Sequence, residues 1–140
     1  FAEKVGDLAS RFYASSDYLE RAGHPQTRDA LCGADFIDFD DTGAYRGYLN
    51  QLGFNLSPRN FPVRAESHLL QWELAKQGVG IVTTLEMIGD AEPSMQRVLP
   101  DFAMVRSMWL VMHRDLRTSR RVKMVFDYLY SELKAICPGA

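Results

Sequence analysis

The clearest hydrophobic pattern in the chain lies at Ser67–Thr84. Leu69, Leu70, Trp72, Leu74 and Ala75 fall to one side of a helical projection, with Glu73, Lys76 and Gln77 on the other. Ser67 offers a side-chain oxygen to the first free backbone N–H groups, Gly78 permits the left-handed turn that ends a helix, and Val79–Thr84 continues as a buried strand. Upstream, Leu8–Ala14 alternates as a strand, and Ser16 is placed to cap a short helix closed by Gly23. Thr27 caps a single turn leading into Cys32 and Gly33, where the chain is expected to change lobes. Phe36, Ile37 and Phe39 form a short strand that runs into the polar turn Asp40–Gly43, and strand carboxyl ends are where α/β sheets hold ligands. Tyr45, Tyr48, Leu49 and Leu52 recur at helical spacing before Gly53, and Asn60–Ala65 reads as a strand whose Pro62 suits an edge.

After Thr84 the pattern gives a short helix at Leu85–Ile88, a loop around Pro93 and a strand at Gln96–Leu99. The unbroken apolar run Met108–Met112 predicts a strand covered on both faces. Val122, Val125, Phe126, Leu129 and Leu133 draw a helical stripe through Ser119–Ile136. Strands alternate with helices without an internal repeat, so the expected class is α/β.

A chain of 140 residues with 46% hydrophobic content can bury one core, or share it between two small lobes. Its net charge of −2 and lack of a Lys/Arg run exclude broad neutralisation of nucleic-acid phosphates. Cys32 and Cys137 form no CxxC or zinc-like spacing, which excludes a disulfide scaffold and fits a reducing cytoplasm. No apolar run is long enough to span a bilayer, and the first residues lack the apolar core of a signal peptide. A start at Phe1 in the middle of a fold pattern suggests a piece of a longer protein.

Candidate chemistry is sparse. There is no GxSxG, HExxH or P-loop, and GVGI at Gly78–Ile81 lacks the third glycine and the preceding strand of a dinucleotide fingerprint. Catalysis would require His24, His68 or His113 to meet Cys32 or an Asp. Asp38, Asp40 and Asp41 read as hard-cation ligands or as a solvated strand end; without a calcium-type loop, no metal and no cofactor are assigned. Ser67 reads as a simple cap or as an anion contact at a positive helix end, and His68 as a solvated helix residue or a ligand contact. Cys32 reads as a small core hydrophobe beside Leu31 or as an exposed redox-sensitive thiol. Arg120 and Arg121 oppose the dipole at the start of the last helix, and are either paired with acids or hydrated.

ASSDYL at Ala14–Leu19 with Gly23 and Pro25 after it, GVGI at Gly78–Ile81, VLPD at Val98–Asp101 and WLVMHRDLRTSRRVKMVFDYL at Trp109–Leu129 occur in that order. In this order they resemble the C-terminal effector-binding domain of LysR-type transcriptional regulators over nearly the whole chain. The resemblance implies a type 2 periplasmic-binding-protein-like α/β fold, with two lobes joined by two crossing segments and a small-molecule effector between them. Residues 1–32 and 105–140 would supply part of the first lobe, and 33–104 a complete second lobe. The winged helix-turn-helix, the linker helix and the opening half of the first lobe are not in this sequence. Thr84 and Leu85 stand where many members have a proline after the glycine-containing strand, implying a different loop geometry there, and Tyr45 and Tyr48 where many have a tryptophan, implying a different effector contact.

By position the resemblance points to Ser15, Thr42, Gly43, Ser67, His68 and Thr83 as effector contacts. The implied function is the effector-sensing domain of a cytoplasmic, non-enzymatic bacterial regulator. Its effector is expected to be a small anion, its full-length form a homodimer or homotetramer, and its DNA contact to come through the missing N-terminal domain, with no membrane partner. Two other readings stand beside it: a solute-binding module of the same fold without a regulatory role, and a small hydrolase built on a histidine with Cys32 or an Asp.

Overall fold

The first strand, β1 (Ala2–Ser15), is longer than the alternation at Leu8–Ala14 predicts, and it contributes to two units. Residues 1–10 pack with the chain from Met104 onward, and residues 11–103 form the other unit. The computed structural model describes residues 1–137; the last three residues of the expected segment 105–140 lie outside the described residues. The element order is β1, α1 (Ser16–Ala22), β2 (Ile37–Asp38), α2 (Ala44–Gln51), β3 (Val63–Arg64), α3 (His68–Lys76), β4 (Val82–Leu85), α4 (Glu86–Gly89), β5 (Met95–Val98), β6 (Met104–Val111) and α5 (Arg120–Ile136).

In the unit built from residues 1–10 and the chain after Met104, β1 and β6 run antiparallel, from Ala2 opposite Val111 to Ser10 opposite Met104. The register shifts between Lys4 and Gly6, and Val5 in that bulge is buried. Ser119 caps α5 by accepting the Val122 N–H. Only part of the expected stripe is covered: Phe126 is buried and meets the ring of Phe1 at 5.6 Å, whereas Val125 and Leu129 are exposed. The expectation that Met108–Met112 is covered on both faces is also corrected. Val105, Trp109 and Val111, which share one face of β6, are 65%, 55% and 67% exposed. An apolar run does not say how many layers cover a strand, and this unit has one long helix, α5. Arg120 and Arg121 are exposed, with no acid paired to either among the described residues.

In the other unit, the second part of β1 lies between β4 and β5, antiparallel to β5 with Phe12 opposite Val98 and Ser15 opposite Met95. Beside this sheet, β2 and β3 form a short parallel pair, and Phe36 bridges to Ile81. The strand expected at 60–65 shrinks to β3 because Asn60 ends a 3-10 turn and uses its side chain as a staple. Its amide donates to the carbonyls of Cys32 at 2.8 Å and Ala34 at 2.7 Å, and its oxygen accepts the Ser57 N–H at 2.9 Å. The cap of α1 is Ser15, not Ser16: Ser15 has extended backbone, and its hydroxyl accepts the Tyr18 N–H at 3.1 Å.

The helix α3 has the predicted cap, with Ser67 accepting the Leu70 N–H at 3.3 Å, and the predicted turn, with Gly78 at φ 82°. Its buried face differs. The five apolar residues span too wide an arc for one face, so Gln71 and Ala75, one turn apart, point inward while Leu69 and Leu70 are exposed. Gln71 is accommodated by donating from Nε2 to the Ala65 carbonyl at 2.5 Å. Trp72, Leu74 and Val79 pack against a core of Tyr13, Ile37, Ala75, Val82 and Met95. At Gly80 the backbone approaches so closely that a Cβ would stand 2.6 Å from the carbonyl oxygen of Asp35. The glycines of GVGI therefore serve a turn and close packing.

A polar network ties β1 to α4 and β5. Arg97 clamps Asp90 from Nε at 2.9 Å and Nη2 at 2.5 Å, and the Tyr13 hydroxyl donates to Asp90 at 2.8 Å. Arg11 donates to Glu86 at 2.6 Å and to the carbonyls of Pro100 at 2.8 Å and Phe102 at 3.1 Å. Hydrogen bonding from Arg97 holds Asp90 down to about 2, while burial, and then the Asp90 carboxylate, push Tyr13 up to about 12.

Because the folded Asp90 titrates below the ordinary value of 3.8, its contribution to stability is fully present above that pH and is lost as pH falls toward about 2. Urea unfolding of Asp90→Asn will show a lower midpoint than wild type at pH 6 and a shallower decline between pH ~4 and ~2; an unchanged decline would remove Asp90 from the acid response. Gly80→Ala will cost about 1–3 kcal/mol in the same assay, because backbone and not a flexible side chain must yield.

Candidate functional site

Because β2 and β3 are parallel, their carboxyl ends, Asp38 and Arg64, emerge on the same side. A cavity of about 550 Å³ lies there, with Asp38, Asp40, Asp41, Arg46, Phe61 and Arg64 in its wall together with Thr42 and Gly43. The turn after β2 is organised by its own side chains. Asp40 Oδ1 accepts the Thr42 N–H at 2.9 Å and the Thr42 hydroxyl at 2.7 Å, and these bonds hold the Asp40 carboxyl below its usual range. The same hydroxyl accepts the Ala44 N–H at 3.2 Å, and Gly43, at φ 74°, turns the chain into α2.

Charge along this wall is unevenly matched. Arg64 Nη1 lies 3.9 Å from Asp41 Oδ2. Arg46, half-buried in the first turn of α2, lies close over Gly43, its Nη2 3.1 Å from where a Cβ would stand. It makes no hydrogen bond or ion pair among the described residues. Asp38 is 8% exposed; its backbone carbonyl accepts the Ala65 N–H at 3.0 Å, and among the described residues its carboxylate accepts only the N–H of its neighbour Phe39, at 2.8 Å. Of these acids Asp38 is the most covered, with its side chain in the cavity wall.

Behind the turn stands an aromatic wall. Tyr45 is buried, its ring 4.6 Å from Phe39 and 5.8 Å from Phe61, and its hydroxyl is hydrogen-bonded to Thr83 Oγ1. Burial raises the Tyr45 phenol well above its ordinary pKa, so it stays neutral. Phe39 also meets the His68 ring at 5.5 Å. Thr42, Gly43, Thr83 and His68 are thereby gathered around Phe39 and Tyr45, with Ser67 next to His68 at the start of α3. Ser15 is elsewhere. It is buried as the cap of α1 and stands beside Gly78, past the far end of a nine-residue helix that rises about 13 Å.

Cys32 is exposed rather than a core hydrophobe; Leu31 takes the buried position. His113 stands 3.5 Å from Asp115 on the exposed surface of the other unit, and no group of three or more His, Cys, Asp or Glu among the described residues could hold a metal ion. Arg46 and Arg64 are wall residues that the sequence did not single out, whereas Tyr45 lies in the segment where the absent tryptophan implied a different effector contact. Arg46 carried a signal, since a cation in the first turn of a helix opposes the dipole.

Residues 1–134 match the family described as LysR substrate binding domain. The chain belongs to that family. Among solved structures it is similar to the regulatory domain of CrgA, a LysR-type transcriptional regulator from Neisseria meningitidis, at 24% identity and a TM-score of 0.78, covering 95% of this chain and 68% of that one. It is similar also to the C-terminal domains of a LysR family protein from Agrobacterium tumefaciens str. C58, at 15% identity and a TM-score of 0.78, covering 100% of this chain and 69% of that one. ArgP from Mycobacterium tuberculosis matches at 14% identity and a TM-score of 0.70, covering 100% of this chain and 49% of that one. This LysR substrate-binding domain thus has the type 2 periplasmic-binding-protein-like α/β fold, and the chain spans about two thirds of the solved regulatory domains and about half of ArgP. No curated protein matches it by sequence. Among the described residues no helix is long and apolar enough to cross a membrane.

The Tyr45–Thr83 bond holds α2 against β4. Tyr45→Phe and Thr83→Val will each cost about 0.5–1.5 kcal/mol in urea unfolding, and the double variant will cost less than their sum; strict additivity would show that the pair does not interact.

Proposed function

We propose that this chain is the effector-sensing part of a DNA-binding transcriptional regulator, responding to a small molecule that carries an anionic group. The reading is carried by the family match over residues 1–134 together with a polar cavity at the carboxyl ends of β2 and β3. Thr42, Gly43, Ser67, His68 and Thr83 are the contacts proposed around that cavity and its aromatic wall. Ser15 is proposed as a contact at the crossing, with residues 33–104 as the second lobe and 1–32 and 105–140 as part of the first. The effector acts by binding one arrangement of the lobes better than another, and it can shift their balance only by that difference in affinity. DNA is contacted through a domain outside this chain, the full-length protein works as a homodimer or homotetramer in the cytoplasm, and no reaction is catalysed.

Two features suit an anion. The N-termini of α2 and α3 present free N–H groups and the positive ends of their dipoles, and Arg46 adds a guanidinium beside the first. Thermal unfolding of the full-length protein against a panel of small carboxylates tests the proposal. At roughly a hundredfold excess over Kd, an effector will stabilise the protein by about 2–3 kcal/mol and alter its retention on operator DNA. Ser67→Ala will weaken that response. A panel in which no compound shifts either readout would count against the proposal, and an unchanged response in Ser67→Ala would remove Ser67 from the site.

A further inference from the structure

Resting on that reading of the cavity, we infer that its ligand is zwitterionic, a small amino acid or amino-carboxylate whose cationic group meets Asp38 and whose carboxylate meets Arg46. The inference follows from which charges in the wall are already answered. Asp40 is satisfied by two hydrogen bonds from Thr42, and Asp41 and Arg64 answer each other at 3.9 Å. Asp38 and Arg46 are left over.

Asp38 is 8% exposed as a residue, but its Oδ2 stays open to the cavity, so a cation that reaches the cavity can meet this carboxylate. Its Oδ1 has the Phe39 N–H at 2.8 Å, its Oδ2 has no hydrogen-bond partner, and no Lys, Arg or His pairs with it among the described residues. Arg46 lies over the N-terminus of α2, where guanidinium and dipole are both positive, and it too has no partner among the described residues. Both side chains line one cavity, yet they form no ion pair with each other. A simple anion would satisfy Arg46 and leave Asp38 bare, and a simple cation would do the reverse. A molecule with both charges answers both groups. The aromatic ring of Phe61 in the same wall offers apolar surface to the remainder of such a ligand.

Four matched probes separate the cases: L-norvaline and 5-aminovalerate carry both charges at short and long separation, valerate carries only the carboxylate, and pentylamine only the ammonium. Each is titrated calorimetrically into the full-length protein and into Asp38→Asn and Arg46→Gln, with circular dichroism confirming that the variants fold. At least one zwitterion will bind roughly tenfold or more tightly than valerate and pentylamine, the order expected when a buried charged group gains its partner. Asp38→Asn will erase that advantage while leaving valerate unchanged, and Arg46→Gln will weaken valerate and zwitterion alike. If valerate binds as tightly as the zwitterions and Asp38→Asn changes nothing, the zwitterion is refuted while a carboxylate effector survives. If pentylamine alone binds, or none of the four binds the folded protein, the inference is overturned together with this cavity as the effector site.

Discussion

Phe12 and Tyr13 are adjacent on β1 and therefore point to opposite faces of its sheet, and the unit from residue 11 to 103 is built on that opposition. Phe12, fully buried, meets Phe36, Phe54 and Phe102 with ring centroids 5.5, 5.5 and 5.3 Å away. Tyr13 enters the other core, among Ile37, Ala75, Val82 and Met95, and ends in a hydrogen bond to Asp90. A slip of one residue would drive a phenol hydroxyl into an aromatic cluster and take a ring with no polar end to a carboxylate. The register against β5 is therefore defined by chemistry on both faces.

From this core a line of rings leads to the cavity. Phe36 touches Phe12 and Phe61, Phe61 touches Tyr45, and Tyr45 touches Phe39, which in turn meets His68. The cavity wall is thus an extension of the packed interior rather than a loop resting on it. The polar turn Asp40–Gly43 sits on that base, with its hydrogen bonds closed internally. A site of this kind can hold charged groups at defined places because the rings beneath them have little room to move.

Charge in the wall then divides into two kinds. Asp40, Asp41 and Arg64 are engaged with neighbours, while among the described residues Asp38 and Arg46 are held near them without an oppositely charged partner. The chain belongs to the LysR substrate binding domain family, and the solved structures similar to it include regulatory domains of LysR-type regulators.

Local hydrogen bonds and backbone conformation made part of this protein legible in the order of its residues. Ser67 and Ser119 cap their helices, Gly23 and Gly78 turn left-handed where helices end, and the Asp40–Gly43 turn bonds to itself. Each depends on residues within about four positions, so sequence suffices, and the one-residue error between Ser15 and Ser16 marks its resolution. The family likeness was legible for a similar reason, through short motifs in a set order. Tertiary structure alone decided which face of α3 is buried, how many layers cover β6, that Asn60 replaces a strand with a staple, and that Asp38 and Arg46 share one cavity wall, with no acid paired to Arg46 among the described residues. Those outcomes depend on what stands opposite a side chain, and the opposite partner comes from residues tens of positions away.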